Sequence, residues 1–271
     1  MPTSSDIPSF LLPRLTNVAI LAAQQAGEIL KKAFNSPYQI TFKEGKHNLV
    51  TQYDAEVENL IITFIKKQFP EHNFLAEESG EHGNFPDNIL WIIDPIDGTV
   101  NFAHNIPLFS ISIAATFQGE VLSGVVYNPI TSELFVAEKN NGAYLNGTPL
   151  SVSKTTILAE AILATGFPYF VHENPLNCID HFVSFTKLGV PIRRLGSAAL
   201  DMAYVAAGRF DAFWEVSLKP WDFAAGFLLI EEAGGLVTNY AKEPLIITKS
   251  SPVLASNKAL HDQMLQHLKV S

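Results

Sequence analysis

The stretch from Ser110 to Gly147 constrains this chain most. Ser110–Phe117 and Val121–Tyr127 are β-rich runs that flank Gln118-Gly119-Glu120. Glu133–Ala137 and Ala143–Leu145 flank Asn140-Asn141-Gly142, and Asn146-Gly147 forms a further turn. Apolar runs bounded by Gly and Asn turns read as hairpins, and consecutive hairpins require antiparallel pairing.

Helical patterns lie on both sides. Leu11, Leu15, Val18, Ala22, Ala26, Ile29 and Ala33 recur every three or four residues, up to Asn35-Ser36-Pro37. A short strand is expected over Tyr38–Lys43. Val57, Leu60, Ile61, Phe64 and Ile65 form a second helix face, with Thr51 as its cap, Asp54 three residues on, and Phe69-Pro70 as its stop. Ile89–Ile93 is a buried strand ending at Asp94-Pro95. Further on, Ser197–Ala207 reads as a helix, Phe210–Glu215 as a strand, and Asp222–Ala233 as a helix with Asp at its start. Short strands near Leu236 and Val253 and a helix from Lys258 follow. Met1 to Ser9 reads as a loose start. The expected architecture is layered α+β or mixed α/β. It forms one unit over residues 1–271, with two closely packed α/β halves meeting near 150.

Hydrophobic residues make up 47% of the 271 and charged residues 17%, which suits a large core and excludes a disordered chain. The net charge of −9 and the lack of a long basic run argue against direct nucleic-acid binding. One cysteine, Cys178, excludes an internal disulfide framework and a cysteine-based zinc cluster, and suits a reducing compartment. The uncharged run Leu15–Gly27 is shorter than the ~20 apolar residues of a membrane span. Met1 to Asp6 lacks the basic start of a signal peptide. The expectation is a soluble cytoplasmic protein.

The chemistry centres on Trp91-Ile92-Ile93-Asp94-Pro95-Ile96-Asp97-Gly98-Thr99. Two carboxylates sit three apart at the end of a buried strand. Gly98 lets the backbone approach a ligand, and Thr99 opens a helical turn whose N–H groups suit an anion. Hard oxygen ligands beside an anion cradle are what Mg²⁺ plus phosphate needs. Asp, Pro and Gly are also ordinary turn residues. Two further acidic clusters at element ends lift the motif above a plain turn: Glu77-Glu78-Ser79-Gly80 and Trp221-Asp222. Alone, the first reads as a solvated loop, Asp222 as a helix cap and Asp54 as part of a capping box. Together, Glu77, Asp94, Asp97 and Asp222 form a set whose mutual repulsion a divalent cation would relieve. The all-oxygen donors favour Mg²⁺, Mn²⁺ or Ca²⁺ over zinc. No nucleotide-triphosphate loop, dinucleotide signature or nucleophile elbow is present. The residues therefore support metal-assisted hydrolysis of a phosphate ester.

At these residues the chain closely resembles the inositol monophosphatase family of Mg²⁺-dependent, lithium-sensitive phosphatases. Asp94-Pro95-Ile96-Asp97-Gly98-Thr99 resembles its first signature. Trp221-Asp222-Phe223-Ala224-Ala225-Gly226, running on to Glu232-Ala233-Gly234-Gly235, resembles its second. Phe74 to Ser79 and Leu49 to Asp54 match the flanking motifs. Ala76 and Val100 depart from the common pattern, where many members have Gly and a second Thr. The stretch Gly166–Pro191 is most similar to bacterial members.

The resemblance implies a layered α-β-α-β-α sandwich of the inositol monophosphatase and fructose-1,6-bisphosphatase type. It implies two or three Mg²⁺ ions, with Mn²⁺ as a substitute, held by Glu77, Asp94, the carbonyl of Ile96, Asp97 and Asp222. Gly98 and Thr99 would meet the phosphate, with Asp54 orienting the Thr99 hydroxyl. Gly196, Ser197 and Ala198 match the substrate loop. Glu215, seven residues before Asp222, matches the position that holds ring hydroxyls in inositol-specific members, and Asp222 counts among the substrate residues as well as the metal ligands. The implied activity is hydrolysis of inositol monophosphate by direct attack of water, catalysed through Glu77, Thr99 and Asp54, in a homodimer. The same chemistry on fructose 1,6-bisphosphate, histidinol phosphate or 3′-phosphoadenosine 5′-phosphate is the alternative. Some bacterial relatives also bind transcription machinery, so a regulatory partner is a different class of role. A haloacid-dehalogenase-type enzyme is disfavoured, because its Asp-x-Asp-Gly-Thr motif is one residue shorter than the spacing here.

Overall fold

The computed structural model describes residues 10–36, 40–42, 49–83 and 88–269. In chain order, helix α1 (Leu11–Ala33) precedes strands β1 (Ile40–Phe42) and β2 (Leu49–Thr51) and helix α2 (Gln52–Gln68). Strands β3 (Asn73–Ala76), β4 (Gly80–His82) and β5 (Leu90–Asp97) lead to the short helix α3 (Thr99–Ala103). Then come β6 (Ser110–Phe117), β7 (Glu120–Asn128), β8 (Glu133–Glu138), β9 (Ala143–Leu145) and β10 (Thr148–Pro149). The rest is β11 (Leu163–Thr165), α4 (Cys178–Lys187), β12 (Ile192–Arg193), α5 (Ala198–Ala206), β13 (Ala212–Leu218), α6 (Pro220–Glu232), β14 (Leu236–Thr238), β15 (Ser251–Ser256) and α7 (Lys258–His267). The loose start expected over residues 1–9 lies outside the described residues. So do the ends of the strand expected over Tyr38–Lys43, of which residues 40–42 are described and form β1.

The hairpins form as the turn residues require. Gln118 and Gly119 take φ of 50° and 81°, and β6 pairs antiparallel with β7. Eight strands join in the order β10-β9-β8-β7-β6-β5-β3-β4, in which only β3 and β5 run parallel. Five strands form a second sheet, β12-β11-β13-β15-β14, and β1 pairs with β2.

Side-chain alternation builds the layers. Trp91 and Ile93 of β5 and Ile111 and Ile113 of β6 pack with α1 and α2. Leu90 and Ile92, one residue out of step, pack instead with Ala203, Leu228 and Leu229 of α5 and α6. Both faces of β5 are therefore covered, which is why its sequence is a continuous apolar run. The far side of α5 and α6 meets Phe213, Val253 and Ala255 of the second sheet. The outer face of that sheet carries Trp214 and Leu254 against Phe185 of α4 and Leu260 and Met264 of α7. The order is α-β-α-β-α.

The strand expected over Phe210–Glu215 runs instead over Ala212–Leu218, and two further boundary differences matter for the site. Strand β5 does not stop at Asp94 but continues to Asp97. Asp94 pairs with Ser112 and Asp97 with Ser110, so one extra residue is accommodated on β5. Residues three apart on a regular strand face opposite ways. The bulge restores parity, so both carboxylates share a face, and Pro95 sits where a missing N–H is tolerated. Helix α6 begins at Pro220, not at Asp222. Proline suits the first helical position, and Asp222, on the first turn, accepts the Lys219 N–H at 2.7 Å.

Candidate active site

Several segments meet at the bulged end of β5. The parallel neighbour β3 delivers Glu77, whose N–H donates to the Ile93 carbonyl at 3.2 Å. The Glu77 side chain is in hydrogen-bond contact with the buried Asp94 carboxyl. Asp94 also accepts the Ile96 N–H at 2.9 Å, which closes a tight turn inside the bulge. Asp97 faces the start of α5. Its Oδ2 accepts the Ser197 hydroxyl at 2.5 Å and the Ala199 N–H at 2.8 Å, and its Oδ1 accepts the Ala198 N–H at 3.3 Å.

Gly98 follows with φ 96°, and a Cβ there would stand 3.0 Å from the Gly196 carbonyl and 3.1 Å from that of Leu108. Only glycine fits both the left-handed backbone and this approach. Gly196 thereby lies against the loop that carries Asp97 and Thr99.

Asp54 uses its two oxygens for two purposes. Oδ2 accepts the N–H and the hydroxyl of Thr51, each at 2.7 Å, which caps α2. Oδ1 lies 3.0 Å from the Thr99 hydroxyl, which also lies 2.9 Å from the Ile96 carbonyl. The hydroxyl has one proton for these two acceptors. Asp54 thus caps α2 with one oxygen and meets the Thr99 hydroxyl with the other.

The electrostatics are those of negative groups out of water. Burial, then the charges of Glu77, Asp97 and Asp222, pushes Asp94 far above the usual carboxylate range. Burial, then Asp97, does the same to Asp222. Asp97 rises to about 6 through burial, held back by the hydrogen bonds from Ser197, Ala199 and Ala198. Asp54 rises to about 6, also chiefly through burial. Glu215, at the β13 edge of the site, reaches about 8 through burial and the charge of Asp97, with Arg194 opposing.

Acidic groups in hydrogen-bond contact must share a proton or a cation. Among the described residues, no three His, Cys, Asp or Glu side chains stand in an arrangement that would by itself enclose a metal ion. A Mg²⁺ site does not need one, because this ion keeps water and substrate phosphate oxygens as ligands beside one or two carboxylates. The donor set, all oxygen and short of positive charge, fits such an ion.

Two residues that sequence reasoning overlooked hold the site together. Glu58 is 2% exposed, and its carboxylate accepts the N–H groups of Glu78 at 2.8 Å and Ser79 at 2.9 Å, fixing the segment after Glu77. The available signal was its position four residues after Asp54, on the face of α2 shared with Val57 and Ile61. Asn101 donates to the carbonyls of Leu108 and Leu195, at 2.6 and 2.7 Å, and so ties the Asp97 loop to the segment before α5.

These shifts set a pH dependence. A carboxyl whose folded pKa is raised holds its proton where the unfolded chain has lost it, so stability falls as pH rises toward the folded value. His72 and His261, pushed down to about 4 by burial, act in the opposite sense, but only up to the ordinary histidine value. Above about pH 6.5 the carboxyls decide. The metal-free protein is expected to melt at a lower temperature at pH 8 than at pH 6.5, with Mg²⁺ raising Tm more at pH 8. An equal Mg²⁺ effect at both values would count against a shared cation site.

A buried acidic cluster of hard donors, set beside a Thr–Asp pair at the end of a parallel strand pair, belongs to the metal-assisted phosphatases of layered α-β-α-β-α build. The family is fixed by comparison with known proteins: the model of the inositol monophosphatase family matches residues 12–271, and this chain belongs to that family. It is 43% identical over 229 residues, 84% of this chain and 85% of the relative, to Nus factor SuhB of Salmonella typhimurium. It is 40% identical over 264 residues to the inositol-1-monophosphatase of Synechocystis, covering 97% and 90% of the two chains. The crystal structure of the extragenic suppressor protein suhB from Bartonella henselae superposes with a TM-score of 0.88 at 38% identity, covering 94% and 98%. A structure of an IMPase/NADP phosphatase complexed with Mg²⁺ and phosphate gives a TM-score of 0.84 at 26% identity, covering 96% and 97%. Among the described residues no helix is long and apolar enough to cross a membrane.

Proposed function

We propose that this phosphatase hydrolyses inositol monophosphate to inositol and phosphate with Mg²⁺. The observation that carries the reading is the set Glu77, Asp94, Asp97 and Asp222, with Glu215 at its edge. Glu77, Asp94, the Ile96 carbonyl, Asp97 and Asp222 would hold the ions, two or three in number, with Mn²⁺ as a substitute. When bound, Mg²⁺ supplies positive charge to the phosphate oxygens and acidifies a neighbouring water. The Mg²⁺ and phosphate of the structural relative support this use of the site.

The chain's own groups then set direction. The Thr99 hydroxyl donates a hydrogen bond to Asp54 and keeps its lone pairs to orient the attacking water. Asp54, near 6, is ionised at neutral pH and can take up the proton relayed through the Thr99 hydroxyl. Gly98, with no side chain, leaves its peptide open to a phosphate oxygen, and Gly196, Ser197 and Ala198 line the facing wall. Water forms the new P–O bond as the ester P–O bond breaks, and the departing sugar oxygen is protonated from solvent.

Glu215 supports the polyol as substrate, because among the described residues no group donates a hydrogen bond to it and its neutral and ionised forms are both accessible near pH 8. Such a carboxyl can accept from one ring hydroxyl and donate to its neighbour. Glu215→Gln is expected to lower kcat/KM for inositol 1-phosphate about tenfold or more while changing a small aryl phosphate little. Equal losses on the two substrates would remove Glu215 as the hydroxyl reader.

The family resemblance suggests a homodimer. Tyr169, Phe170, Leu176, Ile179 and Val183 are exposed apolar residues on and before α4, and they suit a contact between two copies. Solution mass tests this. The buried Cys178, the chain's one cysteine, suits a reducing compartment and supports the cytoplasm as the proposed location. The relative named a Nus factor motivates a second reading, in which the protein also binds transcription machinery. Pull-down with the intact protein and with Asp97→Asn separates that role from catalysis.

A further inference from the structure

We infer that Gly166 is the residue that lets Glu215 face its ligand, and so sets the preference for a polyol phosphate. This rests on Glu215 as the hydroxyl reader. Strands β11 and β13 run parallel with Thr165 opposite Trp214, so the next step along each brings Gly166 beside Glu215. The Thr165 hydroxyl, donating to the Trp214 carbonyl at 2.8 Å, locks that register. Gly166 has an ordinary backbone conformation, so no left-handed turn demands glycine there. What demands it is space. A Cβ would overlap Oε2 of Glu215 and stand 2.6 Å from Cδ and 3.0 Å from Oε1, and these are its three nearest atoms. The volume of the missing side chain is filled by the Glu215 carboxyl.

Asp201 is 1% exposed, and among the described residues its Oδ1 has no hydrogen-bond partner. Asp201 lies on α5, and the charge of Glu215 acts on it. Arg194, on the loop before α5, lies over the Phe167 ring at 5.9 Å, and its positive charge opposes the rise of Glu215 and Asp201. Buried polar atoms without partners are rare in native proteins and mark places where water or ligand completes the bonding. A methyl group at position 166 would push the flexible end of Glu215 out of this position while leaving both strands in place. Vicinal hydroxyls of a polyol would then lose their acceptor.

The test is Gly166→Ala, alone and combined with Glu215→Ala. The expected result is an unchanged Tm and a KM for inositol 1-phosphate raised on the order of tenfold. The kcat should hold, and both constants should hold for a small aryl phosphate. In the Glu215→Ala background Gly166→Ala should add nothing. A crystal structure of Gly166→Ala should show the Glu215 carboxyl displaced. Failure to fold, equal losses on both substrates, or full additivity with Glu215→Ala would each overturn the proposal. A displaced carboxyl with no change on the polyol substrate would instead remove Glu215 as the reader, a separate failure.

Discussion

Asp97→Asn is expected to retain the fold and lose at least about 10²–10³-fold in kcat, the range for removing one group that stabilises developing charge. The substitution keeps size and one acceptor oxygen. With the amide oxygen in the place of Oδ2, the Ser197 hydroxyl and the Ala199 N–H keep their acceptor, and only the long 3.3 Å contact from the Ala198 N–H is lost. What disappears is a negative charge at the centre of the acidic set. That charge now raises Asp94, Asp222 and Glu215, so in the variant the remaining carboxyls should ionise more easily. The metal-free variant should therefore be at least as stable as the parent at pH 8, and Mg²⁺ should raise its Tm less. Near-parental turnover at modest Mg²⁺ would contradict Asp97 as a cation ligand.

The second large effect separates the two functions of Asp54. Thr99→Ala removes the hydroxyl that joins Asp54 Oδ1 to the reaction and is expected to lower kcat by about 10²-fold or more. Melting should change little, because Thr99 begins a five-residue helix rather than filling a core. Thr51→Ala acts from the other side of the same carboxylate. It removes an N-cap and should cost about 1 kcal/mol of stability. Its kcat at saturating substrate should stay within a fewfold of the parent, since Oδ1 still faces Thr99. Stopped-assay kinetics and thermal melts on both variants decide it. Loss of turnover in Thr51→Ala equal to that in Thr99→Ala would contradict this separation of the two functions of Asp54.

The strongly periodic elements could be read from sequence, and the reasons are local. Helix α1 begins and ends where its spacing indicates, and the hairpins follow from turns that Gln118, Gly119, Gly142, Asn146 and Gly147 can make with positive φ. The bulge in β5 was not legible, because it exists only in the pairing of Asp94 and Asp97 with Ser112 and Ser110 of the next strand. Helix α4 was missed because Asn174, Leu176 and Asn177 turn left-handed just before it, and because Ile179 and Val183 are exposed, blurring its apolar face. The acidic residues of the candidate site stood out because they end elements. Glu58 and Asn101 did not, since their partners lie 20 and 94 residues away. Gly166 carried no signal in the chain itself, as its need for glycine comes from a side chain on another strand.

The most direct test of the account is phosphate release from inositol 1-phosphate, fructose 1,6-bisphosphate, histidinol phosphate and 3′-phosphoadenosine 5′-phosphate, with and without Mg²⁺. The account predicts Mg²⁺-dependent release with strong preference for inositol 1-phosphate. Preference for another of these esters would contradict the polyol reading while leaving the acidic site intact. No release from any of them by the folded protein, or release indifferent to Mg²⁺, would contradict the central claim.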